Sequence, residues 1–188
     1  MKKRRFISTV LLSTALVGLA GCAGTAPQYQ AANSNVQALA IGSGKVGVDN
    51  FALGPKGDSL NHLSIRGGTY DSPVEKSWAV YLREALKAEL NTSGRLDQRS
   101  DVKVSGTFLE NDLNGSGFST GTAHISANIV VKRARAVTYE RSISADKQWE
   151  SSVIGAIAIP RARQSYVATI SELLGKLFSD QEFLRAIK

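Results

Sequence analysis

The chain has 188 residues, with 23 Lys and Arg against 16 Asp and Glu, a formal charge of +7. Hydrophobic residues make up 43% and charged residues 21%, a globular rather than a disordered composition, and the length suits one domain with its own core. A single Cys excludes a disulfide framework and a Cys-rich zinc site, and two His leave little material for metal or acid–base chemistry.

Met1-Lys2-Lys3-Arg4-Arg5 is cationic, and Phe6 to Leu19 follows as an uncharged, mostly apolar run. These are the first two regions of a secretory signal; the run is short for a membrane span, which takes about 20 residues. Leu19-Ala20-Gly21-Cys22 closes it with an apolar residue, two small residues and the only Cys, and so resembles a bacterial lipobox. Small residues suit a peptidase cleft, so cleavage is expected between Gly21 and Cys22, with the Cys22 thiol as the lipid attachment site. The competing reading is a plain signal with an incidental Cys22. Ala23 and Gly24 follow, where an Asp is the inner-membrane retention signal of such lipoproteins. The resemblance therefore implies an outer-membrane anchor facing the periplasm. Loss of residues 1–21 removes four basic residues and no acidic ones, leaving 19 − 16 = +3. Nucleic-acid binding thereby loses its compositional support.

Residues 22–44 are rich in Ala, Gln, Asn, Ser and Gly and read as a flexible tether, with Val36 to Ile41 its only apolar part. Residues 45–188 are expected to form one α+β domain. Lys45 to Phe51 predicts a strand, with Val46, Val48 and Asn50 on one face. Leu53 to Asp71, dense in Gly, Asp and Asn, predicts a long loop in which residues 60–65 form a short strand at most. Ser72, Pro73 and Glu75 predict a capping box opening a helix, with Val74, Trp78, Tyr81, Leu82, Ala85, Leu86 and Leu90 as its apolar stripe and Gly94 as its end. Trp78 and Tyr81 belong to the core on this reading rather than to a binding platform. Three strands follow in an antiparallel meander: Val102 to Phe108 with a turn at 111–115, Phe118 to Lys132, and Val137 to Glu150 after a reversal at 133–136. Val153 to Ile159 is apolar throughout and predicts a buried crossover before a second long helix opened by Pro160, with Tyr166, Ile170, Leu173, Leu174, Leu177 and Phe178 facing inward. Ser179 and Glu182 have capping-box spacing before a short C-terminal helix. The fold expected is therefore α+β in β-α-β-β-β-α order: an antiparallel sheet of about four strands with two long helices on one face.

The lipobox, this element order and the ending Leu173-Leu174-Gly175-Lys176-Leu177-Phe178-Ser179-Asp180-Gln181-Glu182-Phe183-Leu184 resemble the YajG-like group of small bacterial lipoproteins. Trp149-Glu150-Ser151-Ser152 with Gly155-Ala156-Ile157-Ala158-Ile159-Pro160 is similar to lipoproteins of uncharacterised function. The resemblance is structural and implies no catalytic residue.

Chemistry-bearing patterns are sparse. His62 with Asp58 reads as a solvated loop pair, and His124 lies within a strand, away from any G-x-S-x-G elbow. Asp49, Glu110 and Asp112 are candidate metal ligands only if strand ends bring them together. Gly42-Ser43-Gly44 and Gly115-Ser116-Gly117 lack the Lys and helix of a phosphate loop. No enzyme activity, metal or cofactor is expected. Lys132, Arg133, Arg135 and Arg141 gather near one reversal, while Arg161 and Arg163 open the last long helix. A straight strand between the groups predicts two separate basic spots rather than one patch. For a protein partner the candidate contacts are Trp149, Ile157, Arg133 and Arg135. The function expected is a non-enzymatic binding or assembly accessory of the envelope, with an unidentified protein partner. The alternative is a binder of a small apolar or glycan ligand through the 53–71 loop.

Overall fold

Alternation, broken by register shifts after Phe108 and after Val131, carries residues 102–150 into three long strands: β5 (Val102–Asn114), β6 (Thr120–Arg133) and β7 (Ala136–Glu150). The structure, a computed structural model, describes residues 24–188, so the signal, Gly21 and Cys22 lie outside the described residues. Earlier elements are β1 (Gly24–Thr25), α1 (Asn33–Ala40), β2 (Gly47–Leu53), a 3-10 turn at Gly57–Asn61, β3 (Leu63–Ile65), β4 (Gly68–Asp71) and α2 (Trp78–Thr92). The chain closes with α3 (Gly155–Ser179) and α4 (Gln181–Ala186).

The main sheet has the order β2-β5-β6-β7. The β5–β6–β7 meander is antiparallel as expected, but β2 pairs parallel to β5 because α2 intervenes as the crossover. A second, three-stranded sheet of order β1-β4-β3 takes up what was read as a loop over 53–71. Leu60, Leu63, Ile65 and Tyr70 are all buried, so this stretch belongs to the core. Within β2 a register shift between Val48 and Phe51 breaks the expected alternation. Val46, Val48 and Phe51 turn inward while Asp49 and Asn50 are exposed.

On β6 the odd residues Ala123, Ile125, Ala127, Ile129 and Val131 face the helices. The even face carries Thr122, His124, Ser126 and Asn128 away from them. Helix α2 packs on β2 and β5, and α3 on β6 and β7. Their junction is an aromatic cluster. Trp78 lies 4.6 Å from Tyr166, 5.3 Å from Tyr70 and 5.4 Å from Tyr81, centroid to centroid.

Four local signals resolve differently from the sequence reading. Ser72 closes a turn on the Val74 amide, and α2 starts at Trp78 with Ser77 as its cap. Glu75 and Lys76 both have φ 51°, in the left-handed region, which keeps the Ser72 box from continuing into helix. Helix α3 begins at Gly155, so Pro160 sits inside it and Val153 to Ile159 is no buried crossover: Val153, Ile154 and Ile157 are exposed. The cap of α4 is Asp180 rather than Ser179, its carboxylate accepting from the Glu182 amide at 2.9 Å. The predicted turn at 111–115 is strand as far as Asn114, and the reversal falls at 115–119.

Residues 24–41 correct the tether reading. β1 pairs with β4, Ala26 and Leu39 are buried, and α1 lies against α2 and α3. Glu89, fully buried on α2, accepts from the Tyr29 hydroxyl at 2.7 Å, the Asn35 amide at 2.9 Å and the Ala32 backbone N–H at 3.1 Å. Arg95, also buried, donates to the carbonyls of Leu39, Gly44 and Ile187 at 3.4, 2.8 and 2.6 Å, tying the end of α1 to the C-terminus. Among the described residues no helix is long and apolar enough to cross a membrane.

Candidate functional site

The meander gives the domain two ends. Arg133 pairs with Ala136 at the β6–β7 turn, and Thr120 with Glu150 at the other extreme. Arg133 donates to the Lys188 and Ala186 carbonyls, so it and Arg135 mark the end that also holds the C-terminus. Arg161 reaches the Glu150 carbonyl at 3.0 Å, and Arg163 lies 6.0 Å from the Tyr70 ring, both at the opposite end. The two basic groups are separate, as the strand length predicted.

Trp149 and Ile157 share the Arg161 end. Trp149 is half-buried over Gly121, where any β-carbon would overlap the indole, and its Nε1 is buried without a partner. Ile157 is exposed. Phe118, which the sequence reads as the start of a strand, is exposed as well. Its isolation among Gly115, Ser116, Gly117 and Ser119 was the available signal that it belongs to a turn and has no strand to face.

An open groove runs along the free edge of β7. It measures about 980 Å³, with Arg141, Ile143 and Lys147 on the strand side, Glu172 and Lys176 on α3, and Ala38 on α1. Strand β7 is an edge of the sheet, and Lys176 Nζ donates to the Ser144 carbonyl at 3.0 Å, which shows that the Ser144 main chain points outward from the ladder. Residues alternate along a strand, so the main chains of Ser142 and Asp146 face the same way. Glu172 lies 3.8 Å from Lys147. At the far end of the groove Arg141 contacts Asp180 at 2.7 Å and Glu182 at 2.6 Å. Burial pushes the Asp180 carboxyl up, but the Glu182 amide, the Tyr139 hydroxyl and Arg141 together hold it below the usual carboxylate range. The groove thus combines charges of both signs, one Ile and strand-edge backbone without a strand partner, of which the Ser144 carbonyl is held by Lys176. Such an edge can receive an extended segment through main-chain hydrogen bonds. Sequence reasoning placed β7 but missed the groove, because its α1 wall lies in the stretch read as tether.

His124 stands on the outer sheet face between two carboxylates, Nδ1 at 2.6 Å from Asp146 and Nε2 at 2.9 Å from Glu110. The Asp146 hydrogen bond raises its pKa most; burial works against this, and Glu110 adds to the rise. These three groups hydrogen-bond to one another. Asp112, opposite His124 in the ladder, and Asp49, in the β2 bulge beside Val104, do not converge with Glu110 on a point, and among the described residues no cluster of metal-ligating side chains forms. His62 and Asp58, 3.3 Å apart, are both largely solvent-exposed.

With this geometry in hand, the molecule is a two-sheet α+β protein whose long helices pack on a mixed four-stranded sheet. No protein-family model and no curated sequence matches the chain. The fold is shared with protein XCC0632 from Xanthomonas campestris, of the family DUF330: TM-score 0.55, 16% identity, over 83% of this chain and 94% of that one. A minor lipoprotein from Acinetobacter baumannii aligns over 75% of this chain and 94% of its own, at 12% identity and TM-score 0.41.

Proposed function

We propose that this chain is a lipid-anchored protein of the bacterial envelope, facing the periplasm from the outer membrane, that acts by binding another envelope protein rather than by catalysis. The lipobox supports the anchor, and the absence of Asp after Cys22 supports the outer membrane. The observation that carries the binding role is the β7 edge beside its groove. Outward-facing main chain at Ser142 and Asp146, either side of the Lys176-bound Ser144 carbonyl, lies next to an open groove of about 980 Å³. Its charges are of both signs, which favours a polar peptide segment over an apolar small molecule.

The test is in-cell photo-crosslinking from position Ile143, inside the groove, and from Val137, exposed at the β6–β7 turn. The processed protein is first weighed by mass spectrometry to establish its acylation. A discrete adduct is expected from Ile143 and not from Val137, and it is expected to weaken in Arg141→Glu/Lys147→Glu. Adducts absent from Ile143 in membrane-localised protein would refute the groove as the binding surface.

A further inference from the structure

Four large apolar residues are exposed at the end of the domain where the chain comes in. Phe118 is 72% exposed, Val153 70%, Ile154 55% and Ile157 44%. They come from two separate segments, the β5–β6 turn and the start of α3, and Arg66 draws these together. Its guanidinium lies 5.8 Å from the Phe118 ring centroid and donates to the carbonyls of Gly117, Ser152 and Val153. Single exposed apolar residues are ordinary on a protein surface, but a grouped patch marks a surface that something covers.

The position of the chain start says what covers it. Strand β1 runs parallel to β4, with Gly24 opposite Tyr70 and Thr25 opposite Asp71. Strand β4 leads away from the Arg66–Gly67 turn, so the chain arrives at Gly24 from the side of that turn, which is the side of the patch. The guanidinium of Arg163, on the third turn of α3, lies directly against Gly24. Cys22 is only two residues upstream of Gly24, a reach of at most about 7 Å. Strand β7, by contrast, has 15 residues, and a straight strand of that length spans about 50 Å to the opposite end. Acyl chains on Cys22 therefore hold the patch, and not the β6–β7 turn, at the lipid surface. The charges at this end agree with that. Arg66, Arg161 and Arg163 all lie at this end, Arg161 at 3.9 Å from Glu150. Apolar side chains rimmed by arginines suit an interface of acyl chains and anionic headgroups.

We infer that Phe118, Val153, Ile154 and Ile157 insert into the leaflet that carries the lipid anchor, as a second, non-covalent membrane contact that fixes the orientation of the domain. This rests on acylation at Cys22 and extends it. In this orientation the β6–β7 turn and the C-terminus point away from the bilayer, and the β7 groove opens sideways along the membrane.

The test uses the full chain, expressed, processed and purified from membranes, with its acylation read by mass. Phe118→Trp and Val137→Trp are each reconstituted into phosphatidylethanolamine–phosphatidylglycerol vesicles, with and without brominated acyl chains. Phe118→Trp is expected to lose most of its added emission in brominated vesicles and to shift to the blue. Val137→Trp is expected to remain unquenched and accessible to iodide. Ile154→Asp/Ile157→Asp in the Phe118→Trp background is expected to restore the emission while leaving far-ultraviolet circular dichroism unchanged. Emission from position 118 that is iodide-accessible and indifferent to brominated lipid overturns the inference. So does an indole shielded from iodide in native envelopes but unquenched in vesicles, the pattern of a protein cover. A chain found unacylated whose position 118 is still quenched supports insertion and removes the anchor reading, so the two fail separately.

Discussion

Glu89 is the residue whose removal most directly tests how residues 24–41 are held to the domain. Its side chain is fully buried on α2, and one oxygen, Oε1, accepts from Tyr29, Asn35 and the Ala32 N–H. The other, Oε2, is buried with no partner. In Glu89→Ala, Asn35 keeps its bond to the Ser171 carbonyl at 3.0 Å, and Tyr29, which is half-buried, can turn to water. The part-buried Ala32 N–H at the start of α1 loses its acceptor at a cost of about 1–3 kcal/mol, and the emptied volume adds a cavity cost of similar size. A total of about 3 kcal/mol falls on local detachment rather than global unfolding, because nothing in the β5–β7 meander depends on Glu89. At 1.4 kcal/mol per tenfold, the opening of α1 rises by roughly a hundredfold, which hydrogen exchange over residues 32–41 measures directly. Glu89→Gln retains the Oε1 acceptor and gives the partnerless position an amide, so its loss of protection is expected to be well under half as large in free energy. If α1 amides in Glu89→Ala exchange as slowly as in the unaltered chain, the clamp is not what holds the segment.

Two further expectations follow from the core and the sheet surface. Phe178→Ala and Trp78→Ala each empty a fully enclosed site and are expected to cost about 3–5 kcal/mol in urea unfolding, and unchanged midpoints in both would contradict the docking of α2 and α3. His124 has its pKa raised above 6.5, so its contribution to stability is complete below the unfolded value and is lost as pH rises through the higher folded value. The melting temperature is therefore expected to fall with rising pH above 6.5, and His124→Gln to flatten that fall; a parallel pH profile in the variant would refute it.

Sequence by itself determined the parts that rest on local periodicity. Residues 102–150 alternate regularly enough that β5, β6 and β7 and their antiparallel order were legible, and the stripes of α2 and α3 placed Trp78, Leu82, Leu174 and Phe178 inside. The resemblance of Leu19-Ala20-Gly21-Cys22 to a lipobox is likewise local. Glu89 carries a signal in the sequence: it lies seven residues after Leu82, on the apolar face of a helix, where a lone carboxylate calls for donors from elsewhere.

Tertiary structure alone decided the rest, because those features depend on partners distant in sequence. Residues 24–41 have tether composition, yet they fold where Glu89 and Ser171 supply bonds 54 to 136 residues away. Capping boxes at Ser72 and Ser179 were plausible by spacing. The observed caps, Ser77 and Asp180, were chosen by the left-handed backbone at Glu75 and Lys76 and by the reach of Tyr139 and Arg141 to Asp180. The free β7 edge and the apolar end arise only when strand order and the Arg66 bridge are fixed. A surface site of this kind is a relation between segments, and no single segment encodes it.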